Sequence, residues 1–86
     1  MELRLTDDAK EELRFFVKSG QSDIVKKIEQ LLISIKETPF SGIGKPEPLK
    51  YEYSGKWSRR INGMHRIVYG IEDETIYIYS CKGHYL

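Results

Sequence analysis

The sequence predicts an α+β fold in the order β-α-α-β-β-β, with two N-terminal helices packed on one face of a mostly antiparallel twisted sheet. Three observations lead there. Apolar residues recur every three or four positions up to about residue 37. Proline and glycine then interrupt the chain. Beyond them, β-branched and aromatic residues alternate with polar ones. At 86 residues the chain is expected to form one domain, residues 1–86, with a modest core.

The elements follow in order. "ELRLT" alternates and reads as a first strand. Thr6 suits an N-cap, with Asp7 and Asp8 in the first turn, where the helix dipole favours anions. The helix runs to about Lys18 and carries Leu13, Phe16 and Val17 on one stripe. "SGQS" breaks it, and Ser22 is placed to cap a second helix with Ile24, Val25, Ile28, Leu31, Leu32 and Ile35 on its buried side. Pro39 ends that helix, because the residue before a proline is pushed out of the helical region. "LKYEYS", "WSRRI", "HRIVYGI" and "TIYIYSC" then read as strand segments. Asn62-Gly63 signals a hairpin turn, and "EDE" at 72–74 a turn before the last strand. Alternation places Ile76 and Ile78 on one face and Tyr77 and Tyr79 on the other, leaving one face of the sheet open.

Composition narrows function. The N-terminus lacks the apolar block of a secretory signal, and no apolar run could span a bilayer. One cysteine, Cys81, excludes an internal disulfide, so a cytoplasmic setting is expected. Net charge is only +1, but its distribution is uneven. Residues 43–66 hold six basic and two acidic side chains, a net +4, whereas residues 1–42 are at −1 and residues 67–86 at −2. A local basic patch focuses the field toward a polyanion even on a near-neutral chain.

The stretch "TPFSGIGKPEPLK", residues 38–50, runs into this basic segment and holds all three prolines of the chain. Pro46 and Pro48 fix their own φ and restrict Lys45 and Glu47 to extended backbone. The segment is therefore either a stiff connector or a holder for one pre-organised carboxylate, Glu47. If Asn62-Gly63 forms a two-residue turn, Arg60 faces His65 and Arg59 faces Arg66; a longer loop shifts that register. Arginines opposite one another repel unless an anion such as phosphate lies between them. His84, near the C-terminus beside Tyr85, could donate a proton near neutral pH. A fixed Glu, cations and a His suit RNA cleavage without metal: a base for the 2′-hydroxyl, cations for the phosphorane, an acid for the 5′-oxygen. Cys81-x-x-His84 supplies two metal ligands without a partner pair, and Gly42-Ile43-Gly44 follows a helix where a phosphate-cradling loop would open one. No cofactor is expected. Without cleavage, the same features would suit a binding module acting on nucleic acid or the ribosome.

Together, "TPFSGIGKPEPLK", "SGKWSRRI", "HRIVY" and the closing "HY" resemble the YoeB (Txe/YoeB) toxins of bacterial type II toxin–antitoxin systems, in the RelE/ParE superfamily. The resemblance extends over nearly the whole chain. It implies a fold similar to small microbial ribonucleases and a metal-free, ribosome-dependent endoribonuclease that cuts mRNA in the A site. The implied partners are the ribosome, mRNA and a YefM/Axe-like antitoxin whose disordered C-terminal segment wraps the toxin; some members are homodimers. It further implies Glu47 as general base, Arg66 as the phosphate-stabilising cation and His84 as general acid. Lys50 and Tyr85 become substrate contacts, and Lys45, Arg59, Arg60 and His65 contacts to RNA or ribosome. A ParE-like toxin that does not cut RNA is the alternative. The sequence departs from the family pattern at Leu86, which follows the tyrosine where the pattern closes.

Overall fold

The computed structural model describes residues 1–83. Strand β1 (Glu2–Leu5) leads into helices α1 (Asp7–Lys18) and α2 (Ser22–Glu37). Strands β2 (Glu47–Pro48), β3 (Lys56–Arg60), β4 (Arg66–Glu72) and β5 (Thr75–Ser80) follow, with a short 3₁₀ turn at Tyr51–Tyr53. The sheet order is β1-β5-β4-β3-β2. β1 runs parallel to β5, and every other pair is antiparallel.

Thr6 caps α1 as its position predicts. Its Oγ1 accepts from the Ala9 N–H at 3.2 Å and donates to the Tyr79 carbonyl, so one hydroxyl starts the helix and ties it to β5. The predicted cap of α2 differs. Gln21 holds the N-cap position without a side-chain bond, and Ser22 is the first helical residue. The helix stripes meet one face of the sheet. Phe16, Ile28, Leu31 and Ile35 pack with Ile67, Tyr69, Ile76 and Ile78, all essentially excluded from solvent. Tyr77 and Tyr79 lie on the opposite face, as alternation predicts, with ring centroids 6.4 Å apart.

Three local expectations are corrected. "LKYEYS" is not a strand. The chain pairs earlier, at Glu47–Pro48, on the edge of the sheet, where a proline without an N–H is tolerated. Lys45 is not extended: its φ is 53°, a left-handed conformation that costs about 1–3 kcal/mol for a residue with a side chain. Asn62-Gly63 is not a two-residue turn. The Asn62 Oδ1 accepts from the N–H groups of both Met64 and His65, at 2.8 Å each, and the loop between β3 and β4 spans five residues.

The tight hairpin lies instead at Asp73-Glu74, with φ of 49° and 63°, between β4 and β5. Two positive φ angles in a two-residue loop are the geometry that Asn-Gly satisfies with least strain. Replacing Asp73-Glu74 by Asn-Gly is therefore expected to stabilise the protein by about 1 kcal/mol. Urea unfolding should show a higher midpoint at unchanged slope.

Candidate active site

The five-residue loop sets the register that builds the site. Arg60, not Arg59, lies opposite an arginine: Arg60 pairs with Arg66, and Arg59 with Ile67. A shift of one residue exchanges the faces of a strand. Arg60 and Arg66 therefore share the open face, and Arg59 turns toward the helices.

Glu47 joins them there. It pairs with Ser58, which pairs in turn with Val68, two residues from Arg66 on β4. Cross-strand partners share a face. The small Ser58 leaves room for the Arg66 side chain to cross β3, and its Nη1 meets the Glu47 Oε1 at 3.3 Å. The contact is longer than a strong charge-assisted bond, and the Glu47 side chain is 61% exposed, so the pair is open to exchange its partners. Like charges at Arg60 and Arg66 repel, and Glu47 offsets one of them. Among the described residues the Arg60 side chain makes no ion pair or hydrogen bond.

Beside this pair opens a cleft of about 460 Å³. Lys27, Lys45, Arg60 and Arg66 all line it, and no carboxylate does. Its volume suits a nucleotide-sized group, and its four cations suit phosphate. Lys27 had no signal in the sequence, where it reads as a polar position of α2. The packing of α2 against the loop at Ile61–Gly63 is what brings it to the cleft.

Arg59 is corrected from a contact for RNA or ribosome to a structural residue. It is fully buried, and each of its five N–H donors is occupied. Nε donates to the Tyr69 hydroxyl; Nη1 donates to the Ser34 hydroxyl and the Ile43 carbonyl; Nη2 donates to the carbonyls of Thr38 and Ser41. Tyr69 in turn donates to the Pro39 carbonyl at 2.6 Å. Burial raises the Tyr69 hydroxyl pKa above its usual value, partly opposed by Arg59. The loop that begins at Thr38 is thus wound around one guanidinium. Gly42 and Gly44 complete the winding. A Cβ at Gly42 would lie 2.5 Å from the Ser34 Oγ, and one at Gly44 2.6 Å from Leu31 Cδ2. Both glycines also have positive φ.

The remaining predicted residues divide. Lys50 is exposed but does not line the cleft. His65 is half-buried and engaged inward: its Nδ1 accepts from the Gly83 N–H, and its ring meets the edge of Phe16. His84, Tyr85 and Leu86 lie outside the described residues. Cys81 is buried, and burial pushes its thiol up to about 12, with the Glu12 carboxylate adding to the shift. It supplies no thiolate nucleophile. Among the described residues, no three His, Cys, Asp or Glu side chains are grouped to hold a metal ion. No described helix is long and apolar enough to cross a membrane.

Residues 5–85 match the family model of YoeB-like toxins of bacterial type II toxin–antitoxin systems. The chain belongs to this family. It is similar to the toxin YoeB of Escherichia coli K12, 53% identical over 62 residues, covering 72% of this chain and 74% of the relative. Among solved structures it is similar to a YoeB/ParE toxin from Agrobacterium tumefaciens, with a TM-score of 0.93 and 38% identity over 99% of this chain and 100% of that one. It is also similar to YoeB from Staphylococcus aureus in its heterotetrameric complex with the YefM antitoxin, with a TM-score of 0.85 and 43% identity over 99% and 98% of the two chains. The chain is thus a toxin of a type II toxin–antitoxin system, with the YoeB/RelE fold.

Proposed function

We propose that this YoeB-family toxin is an mRNA endoribonuclease that acts in the ribosomal A site. The observation that carries the reading is the exposed contact between Glu47 and Arg66 beside a cleft lined by cations. In the proposed reaction Glu47 takes the proton of the 2′-hydroxyl, and the 2′-oxygen attacks the adjacent phosphorus. Arg66, helped by Arg60 and Lys45, stabilises charge on the phosphorane. The bond from phosphorus to the 5′-oxygen breaks, His84 protonates that oxygen, and a 2′,3′-cyclic phosphate remains. Lys50 and Tyr85 are proposed as further substrate contacts. All these groups are side chains, so the step needs no metal. The ribosome supplies alignment of the 2′-hydroxyl, which a toxin with so open a site does little to enforce.

The relatives support the proposed partners. The S. aureus protein occurs in complex with the YefM antitoxin and as a dimer. For this chain we propose a YefM-like antitoxin that covers the same open face, and self-association of the toxin.

The test is mRNA cleavage on programmed ribosomes, read at nucleotide resolution, for wild type, Glu47→Gln and His84→Ala. Cuts within the A-site codon should fall by at least roughly 10²-fold in each variant. Translation arrest without cuts, unaltered by Glu47→Gln, would instead identify a toxin that only binds. Lys27 gives a second check. With Glu47→Gln as the non-cutting background, Lys27→Ala should weaken binding of short single-stranded RNAs irrespective of sequence. It should also flatten the dependence of log K on log salt by about 0.7.

A further inference from the structure

We infer that Tyr51 is a stacking contact for a base of single-stranded RNA, presented from the turn that follows Glu47. The inference rests on the nuclease reading and deepens it, adding a residue that holds the substrate beside the proposed site of cleavage. Tyr51 is 90% exposed, more than any other large apolar side chain among the described residues. Its φ is 58°, in the left-handed region that an aromatic residue enters only under strain. Among the described residues its side chain makes no hydrogen bond, ion pair or ring contact. The fold thus bears a strained backbone and an uncovered ring at one position, with no internal contact in return.

The turn fixes that arrangement. The Leu49 N–H donates to the Lys56 carbonyl at 2.9 Å and closes the loop between β2 and β3. Inside it, the Tyr53 N–H donates to the Lys50 carbonyl at 3.1 Å, and the Ser54 N–H to the Tyr51 carbonyl at 3.0 Å. Tyr53, in the same 3₁₀ turn, is half-buried, with the Lys56 ammonium 5.9 Å from its ring centre. One tyrosine of the turn is therefore packed and the other is held outward. The surroundings of Tyr51 select its occupant. Lys50, Glu52 and Ser54 are all exposed, so the ring lacks the close rim that shields the anchor of a protein interface from water. A base needs only a ring face, with a cation nearby for its phosphate, and Lys50 supplies the cation. Tyr51 also follows Glu47 by four residues, which keeps their Cα atoms within about 15 Å. An RNA whose phosphate meets Glu47 and Arg66 can place a neighbouring base on the ring.

The test measures binding of short single-stranded RNAs in the Glu47→Gln background. Tyr51→Ala should weaken binding by roughly 5- to 100-fold, and Tyr51→Phe and Tyr51→Trp should stay within about 2-fold of the parent. The slope of log K against log salt should be unchanged in Tyr51→Ala, whereas Lys50→Ala should flatten it by about 0.7. Abasic RNA of the same length should bind the parent and Tyr51→Ala alike. Tyr51→Gly should lose RNA affinity as alanine does and yet raise the urea midpoint, because glycine takes positive φ without strain. Parent-like RNA affinity in Tyr51→Ala, an equal deficit on abasic RNA, or a parent that binds neither RNA overturns the inference. A loss seen only in cleavage on ribosomes also overturns it and assigns Tyr51 to a ribosomal surface. If wild type fails to cut mRNA, the nuclease reading falls while RNA affinity still decides the role of Tyr51.

Discussion

Replacing Arg59 by alanine is expected to cost about 3–5 kcal/mol of stability, a large part of what a small domain has. The side chain is fully buried, and its five donors serve one phenol, one hydroxyl and three backbone carbonyls, at Thr38, Ser41 and Ile43. None of these is a carboxylate. The charge is held by dipoles, including the C-terminal end of α2, where a cation is favoured. A buried ion network can often be exchanged for apolar side chains at little cost, because every partner is exchanged together. Here three partners are main-chain carbonyls, which no mutation removes, so truncation leaves them without donors. Lysine offers fewer donors on a compact head and should rescue only in part. With a urea slope near 1 kcal/mol per M for a chain of this size, the midpoint of Arg59→Ala should fall by roughly 3 M or more. If Arg59 were a surface contact for RNA, the midpoint would shift by less than about 0.5 M and the loss would appear in cleavage alone.

The same residue shows where the sequence could be read and where it could not. The helices were legible because Leu31, Ile35 and Phe16 recur with helical period, and Thr6 stands where a cap must. The face of β5 was legible because parity alone separates Ile76 and Ile78 from Tyr77 and Tyr79. In "SRRI", by contrast, two adjacent arginines face opposite sides of the sheet, and nothing local says which goes in. That choice rests on the Asn62 side chain, which takes two amides and lengthens the loop to β4. It rests also on acceptors at Ser34 to Ile43, far away in sequence. Asn-Gly reads as the tight turn because its residues tolerate positive φ, yet Asp73-Glu74 takes that conformation. Of the candidate site, Glu47 stands out in the sequence between its two prolines, and Arg66 only as one of a pair of facing arginines whose partner is Arg60. Lys27 does not stand out, because only the packing of α2 brings it to the cleft.

Replacing Arg66 is expected to separate catalysis from folding in the opposite sense to Arg59. Arg66→Ala should reduce cleavage on ribosomes by roughly 10²- to 10³-fold, the range for removing one preorganised donor to a charge that develops in the transition state. Stability should fall by about 1 kcal/mol, well short of Arg59→Ala: the contact with Glu47 is long and Glu47 is mostly exposed, while the Arg66 side chain, only 16% exposed, loses some packing of its stem. Losing Arg66 also removes the like-charge pairing with Arg60, which recovers part of the loss in folding. Arg66→Lys distinguishes charge from geometry. An ammonium keeps the field in the cleft but cannot grip two phosphate oxygens in one plane, so its rate should fall between those of wild type and Arg66→Ala. Single-turnover cleavage, with urea unfolding on the same preparations, measures both quantities. Lysine as active as wild type would make Arg66 a point charge supporting Glu47. Alanine as active as wild type would remove the Glu47–Arg66 pair from the reaction and leave the basic cleft as a surface that only binds.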